Sequence, residues 1–283
     1  MLRCHSGTLA QARVASPEHR RRPILGSVEE PLLGGNTHEQ IVRVGSTVRR
    51  PTGPWTPGVH ALLSHLEHAG YAGAPRVHGF DRQGREVLDY IDGEVVHPHH
   101  RHLIETDEAL AQVAATIRGF HAAVRGLGME RFAWSDRGSD PSGSAEILCH
   151  NDLAPWNLIH ATDDRWVFID WDLAAPGRLS WDLSFALLTL VPLMPNEARA
   201  DRRVADRLEV FAGAYGAADV PADVLTVAVE RCEREADLIF RLGQAGKPPY
   251  DKLMREGHGE IWSSAATHIA ARVPTWEPAL RIR

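Results

Sequence analysis

The chain is short of three things, and each shortage excludes something. It has three cysteines in 283 residues: Cys4, Cys149 and Cys232. An odd number at such spacings builds neither a disulfide frame nor a zinc site, so a reducing cytosol is the expected setting. There is no long apolar run. The longest, Leu183 to Met194, contains Ser184, Thr189 and Pro192, and it falls short of the roughly 18 residues that a membrane helix needs. An excess of positive charge is also missing. Lys and Arg number 31 against 37 Asp and Glu, a net charge of −6. That balance argues against a nucleic-acid footprint and is compatible with a cationic substrate. Apolar residues are plentiful at 43%, enough for a substantial core in one large or two modest domains.

The most informative stretch is His150-Asn151-Asp152-Leu153-Ala154-Pro155-Trp156-Asn157. It fits the spacing H-x-D-x-x-x-x-N, in which an Asp orients a hydroxyl and an Asn, one loop later, holds a metal ion against nucleotide phosphates. Glu146 to His150 reads as a short apolar strand leading into the loop. Pro155 stiffens the turn by fixing φ. Leu158-Ile159-His160 starts a second strand, and Thr162 to Arg165 supplies turn chemistry. Trp166 to Ile169 returns as the partner strand and delivers Asp170. The spacing predicts that Asp152, Asn157 and Asp170 converge on one metal–nucleotide site. Cys149, with apolar neighbours, is expected to be a small core residue.

Three regions follow from the rest of the pattern. Residues 1–26 carry Arg3, Arg13, Arg20, Arg21 and Arg22 with no amphipathic period and read as a disordered tail. Residues 27–92 read as a β-rich lobe that binds nucleotide. There, Gly34 and Gly35 form a turn whose backbone N–H groups can approach phosphates, no Cβ being in the way. Ile41–Val44 and Thr47–Arg50 read as a hairpin around Gly45-Ser46, with Arg49 on the inner strand facing the phosphates. Thr56, Pro57 and Gly70 bracket a helix with Leu62, Leu63 and Leu66 on its apolar face. Strands at 76–80 and 86–91 lead to a break at Asp92-Gly93. Adenine is expected near Asp89, Tyr90 and Ile91 at this hinge.

Residues 93–283 read as a larger, mainly helical lobe with the catalytic loop and acceptor site. The His97 to His102 cluster, interrupted by Pro98, reads as a solvated loop. Thr106 caps a helix on which His121 is a packed core residue. Asp182, near the start of an apolar helix, is expected to receive backbone N–H bonds and brace the loop. Helices are also expected from Asn196, from Pro221 and over His258–Arg272. Glu230, Glu233, Glu235 and Asp237 read as a solvated helix face.

On the 150–157 motif, Ile169-Asp170-Trp171-Asp172 and Trp181-Asp182-Leu183, the chain resembles the aminoglycoside phosphotransferase family. The resemblance implies an α+β, two-lobed protein-kinase-like fold over approximately residues 30–270. It implies an ATP-dependent kinase acting on small-molecule hydroxyls. Asp152 would be the catalytic base or hydroxyl-orienting residue. Asn157 and Asp170 would hold Mg²⁺, with Asp172 assisting. Arg49 would contact phosphates, and Gly34 and Gly35 would cover the nucleotide. Two departures stand out. Where the family's helix usually carries a glutamate for the basic strand residue, this chain has Gly58-Val59-His60, and Glu67 comes about two turns later. The residues after Asp170 also lack the A-P-E element of protein kinases, which favours a small acceptor. The acceptor stays open between an aminoglycoside and a metabolite alcohol of the choline, homoserine or sugar type. A nucleotide-binding immunity or regulatory module without transfer is the alternative from another class.

Overall fold

The computed structural model describes residues 28–32, 41–128, 132–191, 193–195 and 201–281. The expectations for residues 1–26, for Gly34 and Gly35, and for a helix start at Asn196 lie outside the described residues.

Short strands build the first layer. β1 (Glu30–Pro31), β2 (Val42–Val44) and β3 (Thr47–Arg50) precede helix α1 (Thr56–His68). β4 (Val77–Phe80) and β5 (Glu86–Asp89) follow it. They form one antiparallel sheet in the order β1-β2-β3-β5-β4. Gly45 and Gly84 turn the two hairpins at φ +62° and +77°, a region glycine enters without a Cβ clash. α1 starts with Pro57 in its first turn and ends before Gly70 at φ +75°. Its Val59, Leu62, Leu63 and Leu66 are buried, and the helix contributes to the main core.

The chain then passes through residues 90–92 to β6 (Gly93–Val95) and α2 (Asp107–Val124). Thr106 caps α2, its hydroxyl accepting from the Ala109 N–H at 3.1 Å. β7 (Ile147–Cys149), β8 (Leu158–Ala161), β9 (Trp166–Phe168) and β10 (Ala175–Gly177) surround the motif. β8 and β9 form the expected hairpin, with β6 on the outer side of β8. Alternation divides this hairpin between two cores. Leu158, Trp166 and Phe168 join the main core. Ile159, Ala161, Val167 and Ile169 face the other way, toward Ile91 and Val95. A period of two makes that division unavoidable in a strand buried on both faces.

The helical layer comprises α3 (Leu179–Leu190), α4 (Asp201–Tyr215), α5 (Val224–Gln244), α6 (Tyr250–Arg255), α7 (His258–Ala270) and α8 (Val273–Trp276). α3 is buried from Ser180 through Leu190. A helix apolar all round belongs at the centre of a bundle, and α5 packs against it. No helix among the described residues is long and apolar enough to cross a membrane.

A candidate active site between the sheet and the helices

The site begins where β7 ends. His150, Asn151 and Asp152 are all buried, and Asn151 adopts a left-handed φ of +67°. A non-glycine residue stays in that strained region only when its surroundings hold it there. Asp182 is one of them. Its carboxylate accepts from the His150 N–H at 2.9 Å and the Asn151 N–H at 2.7 Å. His121 Nε2 lies 3.1 Å from the same carboxylate, and His121 Nδ1 lies 2.8 Å from the Tyr215 hydroxyl. Burial alone would push the Asp182 pKa up. The bonds and charges from His121 and the loop outweigh it and hold the carboxyl below its ordinary value. Asp182 therefore braces the loop as its sequence position suggested, and His121 is a buried member of the same network.

A second brace was not legible in the sequence. Arg231 of α5, 2% exposed, donates to the Asn151 carbonyl at 2.5 Å and to the Trp181 carbonyl at 2.9 Å. Its guanidinium packs over the rings of Trp181 and Phe185. The acidic stretch around it is not one solvated face. Glu233 and Asp237 are exposed, but Glu235 is half-buried and lines a cavity, and Glu230 pairs with Arg178 at 3.1 Å.

Asp152 is 3% exposed. Trp156 Nε1 donates to its two oxygens at 3.1 and 3.2 Å, and Asn157 Nδ2 donates at 2.8 Å. Burial pushes the Asp152 pKa up to about 7. The Trp156 and Asn157 bonds oppose that rise, and the charge of Asp170 adds to it. A carboxylate only accepts, so the Asn157 amide must turn its nitrogen toward Asp152. Its oxygen then has no hydrogen-bond partner while buried. The Ile169 N–H donates to the Asn157 carbonyl at 2.8 Å, which brings Asp170 alongside. Asp170 sits at φ +62°. Burial raises its pKa to about 6 against the pull of Arg50, with Asp172 adding to the rise.

The basic residue that reaches these carboxylates is Arg50, one place along from the expected Arg49. Arg50 Nη2 lies 3.2 Å from Asp170 Oδ1 and is also paired with Asp172. Its Nε lies 2.9 Å from Glu86 Oε1 on β5. Arg49 points to the opposite face, donating to the Thr47 hydroxyl at 2.6 Å and lying 3.8 Å from Asp81. The reason is the pleat. Val48 is turned into the core, so Arg50 shares its face and Arg49 cannot. The alternation Val48–Arg50 was the available signal. The missing helix glutamate is also accounted for: His60 of α1 stands beside Glu86, with Nε2 at 3.0 Å from Oε2.

At the hinge the three expected residues differ. Asp89 is committed to the sheet edge, accepting from the Arg76 N–H and facing His78 Nε2 at 2.7 Å. The Tyr90 N–H donates to the Ser46 carbonyl, and Arg43 lies 3.8 Å over its ring. Ile91 joins the small apolar cluster with Ile159 and Ile169. On the other side of Asp152 lies a cavity of about 120 Å³ whose walls include Trp156, Phe185, Arg231, Glu235 and Tyr250. In the histidine-rich stretch, His97 meets the Trp156 ring edge-on and His100 Nδ1 lies 3.3 Å from Glu94.

The fold defines a class: the chain has a two-lobed, protein-kinase-like fold, with the 150–157 loop and the β8–β9 hairpin at its centre. Residues 129–222 match the phosphotransferase enzyme family (APH), and the resemblance read from the motif is borne out over that segment. The chain is 35% identical over 162 residues to the trifolitoxin immunity protein of Rhizobium leguminosarum bv. trifolii, a match covering 56% of this chain and 60% of that protein. The match thus spans less than two thirds of that relative. Among solved structures it is similar to the choline kinase LicA of Streptococcus pneumoniae, with a TM-score of 0.57, 16% identity and coverage of 87% of this chain and 95% of that one. It is also similar to spectinomycin phosphotransferase bound to ADP and spectinomycin, with a TM-score of 0.54, 10% identity and coverage of 82% and 88%. At these identities the structural likeness establishes the fold.

Proposed function

We propose that the protein transfers the γ-phosphoryl group of ATP to a hydroxyl of a small molecule, in the cytoplasm. The observation that carries this reading is the convergence of Asp152, Asn157, Asp170 and Arg50 between the sheet and the helices. Asp152 accepts a hydrogen bond from the attacking hydroxyl, its carboxylate oriented by Trp156 and Asn157. The transition state of phosphoryl transfer is loose, so placing the hydroxyl matters more than base strength. Arg50 supplies fixed positive charge for the phosphates. The adenine lies at the hinge by Tyr90 and Ile91, against the Ile159–Ile169 cluster.

A divalent cation fits the donor set. The buried Asn157 oxygen has no partner, and Asp170, with Asp172 beside it, offers carboxylate oxygens of the kind that Mg²⁺ takes. No group of three or more His, Cys, Asp or Glu among the described residues is placed to hold a metal, so the nucleotide's own oxygens would complete the shell. When bound, Mg²⁺ neutralises charge on the phosphate oxygens.

The cavity beside Asp152 suits a small acceptor, or one hydroxyl-bearing arm of a larger one. The partner is therefore a small-molecule hydroxyl compound, with Glu235 available to a cationic group. The test is a screen of the purified chain with Mg·ATP against choline, ethanolamine, homoserine, sugars and aminoglycosides including spectinomycin, read as phosphorylated product. One acceptor giving product with the parent and none with Asp152→Ala is the expected result. Likeness to an immunity protein favours a second reading, in which the chain binds nucleotide and protects without transfer. Tight Mg·ATP binding with no product from any acceptor would select it.

A further inference from the structure

This inference rests on the nucleotide reading above and concerns how the basic residue of that site is held. In protein kinases the strand lysine is paired with a glutamate on a helix. Here the carboxylate comes from the sheet. Glu86 is the direct cross-strand neighbour of Arg50. It is 1% exposed, and its Oε1 lies 2.9 Å from Arg50 Nε. Its other oxygen lies 3.0 Å from His60 Nε2. A carboxylate can only accept, so Nε2 must carry the proton. His60 is itself seated on the Phe80 ring, with centroids 4.8 Å apart. α1 thus contributes a donor to the carboxylate instead of the carboxylate itself.

We infer that Glu86 and His60 are positioning residues for the nucleotide phosphates, Glu86 by fixing the Arg50 guanidinium and His60 by fixing Glu86. The arrangement has a mechanical consequence. A helix-to-strand pair breaks when the helix swings away. The Arg50–Glu86 pair lies within one sheet, where the β3–β5 register sets its geometry. Movement of α1 removes the His60 donor and leaves the ion pair in place.

Titration calorimetry on the full chain tests this, with Mg·ATP and adenosine as probes. By removing the charge that faces the guanidinium in this ion pair, Glu86→Gln should raise the Kd for Mg·ATP about tenfold. Adenosine, which has no phosphate, should change less than about twofold, since it makes none of these charged contacts. His60→Phe should raise the Mg·ATP Kd by about threefold, a single hydrogen bond's effect, and His60→Gln, which keeps an N–H donor, should recover most of the loss. Glu86→Gln with Mg·ATP affinity unchanged would overturn the assignment. So would an equal loss for adenosine and Mg·ATP, which would make Glu86 a support of the lobe as a whole. A parent protein that binds neither probe would instead remove the nucleotide reading and this inference with it.

Discussion

The two walls of the cleft are built by different rules. On the helical side, the loop, the hairpin and Asp182 lie within residues 147–182, and hydrogen bonds inside that segment join them: Asp152 to Asn157, Asn157 to Ile169, and Asp182 back to His150 and Asn151. On the sheet side the one critical charge depends on register. A slip of one residue in β3 would turn Arg50 to the other face and bring Arg49 to the cleft in its place. The first wall is a compact local device. The second is a by-product of which face of a strand meets the core.

Experiments can press on this contrast. The largest effect should come from Asp152→Ala, which removes the hydroxyl's partner and should lower kcat roughly 10²–10⁴-fold; steady-state turnover of the best acceptor reads it, and an unchanged rate would reject the role. Asp182→Ala should come next. It strips two loop N–H groups and His121 of their acceptor, and breaking a buried charged network by removing one partner costs about 3–5 kcal/mol. Urea unfolding measures that loss, which should appear without any ligand present.

Acid should weaken the same wall. His150 is fully buried, and burial lowers its pKa to about 4, against the raising influence of the Asp182 charge. The unfolded chain, with its histidine near the ordinary value of about 6.5, binds this proton more readily than the native one. Stability from this residue is complete above that value and is lost as pH falls toward 4, amounting to roughly 3 kcal/mol. Urea midpoints compared at pH 7 and pH 5 for parent and His150→Phe should show a smaller acid loss in the variant.

On the sheet wall, Arg50→Ala should weaken Mg·ATP binding by about tenfold or more, as expected for a lost charge-assisted contact. The smallest effect should be that of Arg49→Ala, a half-buried residue on the other face, with stability changing by no more than about 0.5 kcal/mol and Mg·ATP affinity essentially unmoved. Equal loss from the two arginines would mean that the pleat does not separate their roles.

The same contrast explains how much could be read in advance. The strand–loop–hairpin from Ile147 to Phe168, the capping Thr106 and the ends of α1 all follow from neighbours a few residues apart, and Asp182 was marked by its place near the start of an apolar helix. Arg49 and Arg50 adjoin in an arginine pair, and the Val48–Arg50 alternation is the one local mark that separates their faces. Trp156 stood within the motif, yet nothing local reveals that its indole N–H reaches Asp152. Arg231 sat among acidic residues that suggested a solvated helix. Its partners are backbone carbonyls 50 and 80 residues away.

The amino-acid order alone determined which chemistry-bearing groups the protein carries and how the central loop turns, because hydrogen bonds, φ restrictions and strand alternation act over a few residues. Tertiary structure alone decided which carboxylate holds the cleft's arginine and what supports the strained Asn151. Those outcomes depend on cross-strand register and on helices returning from far along the chain, and no local pattern encodes either.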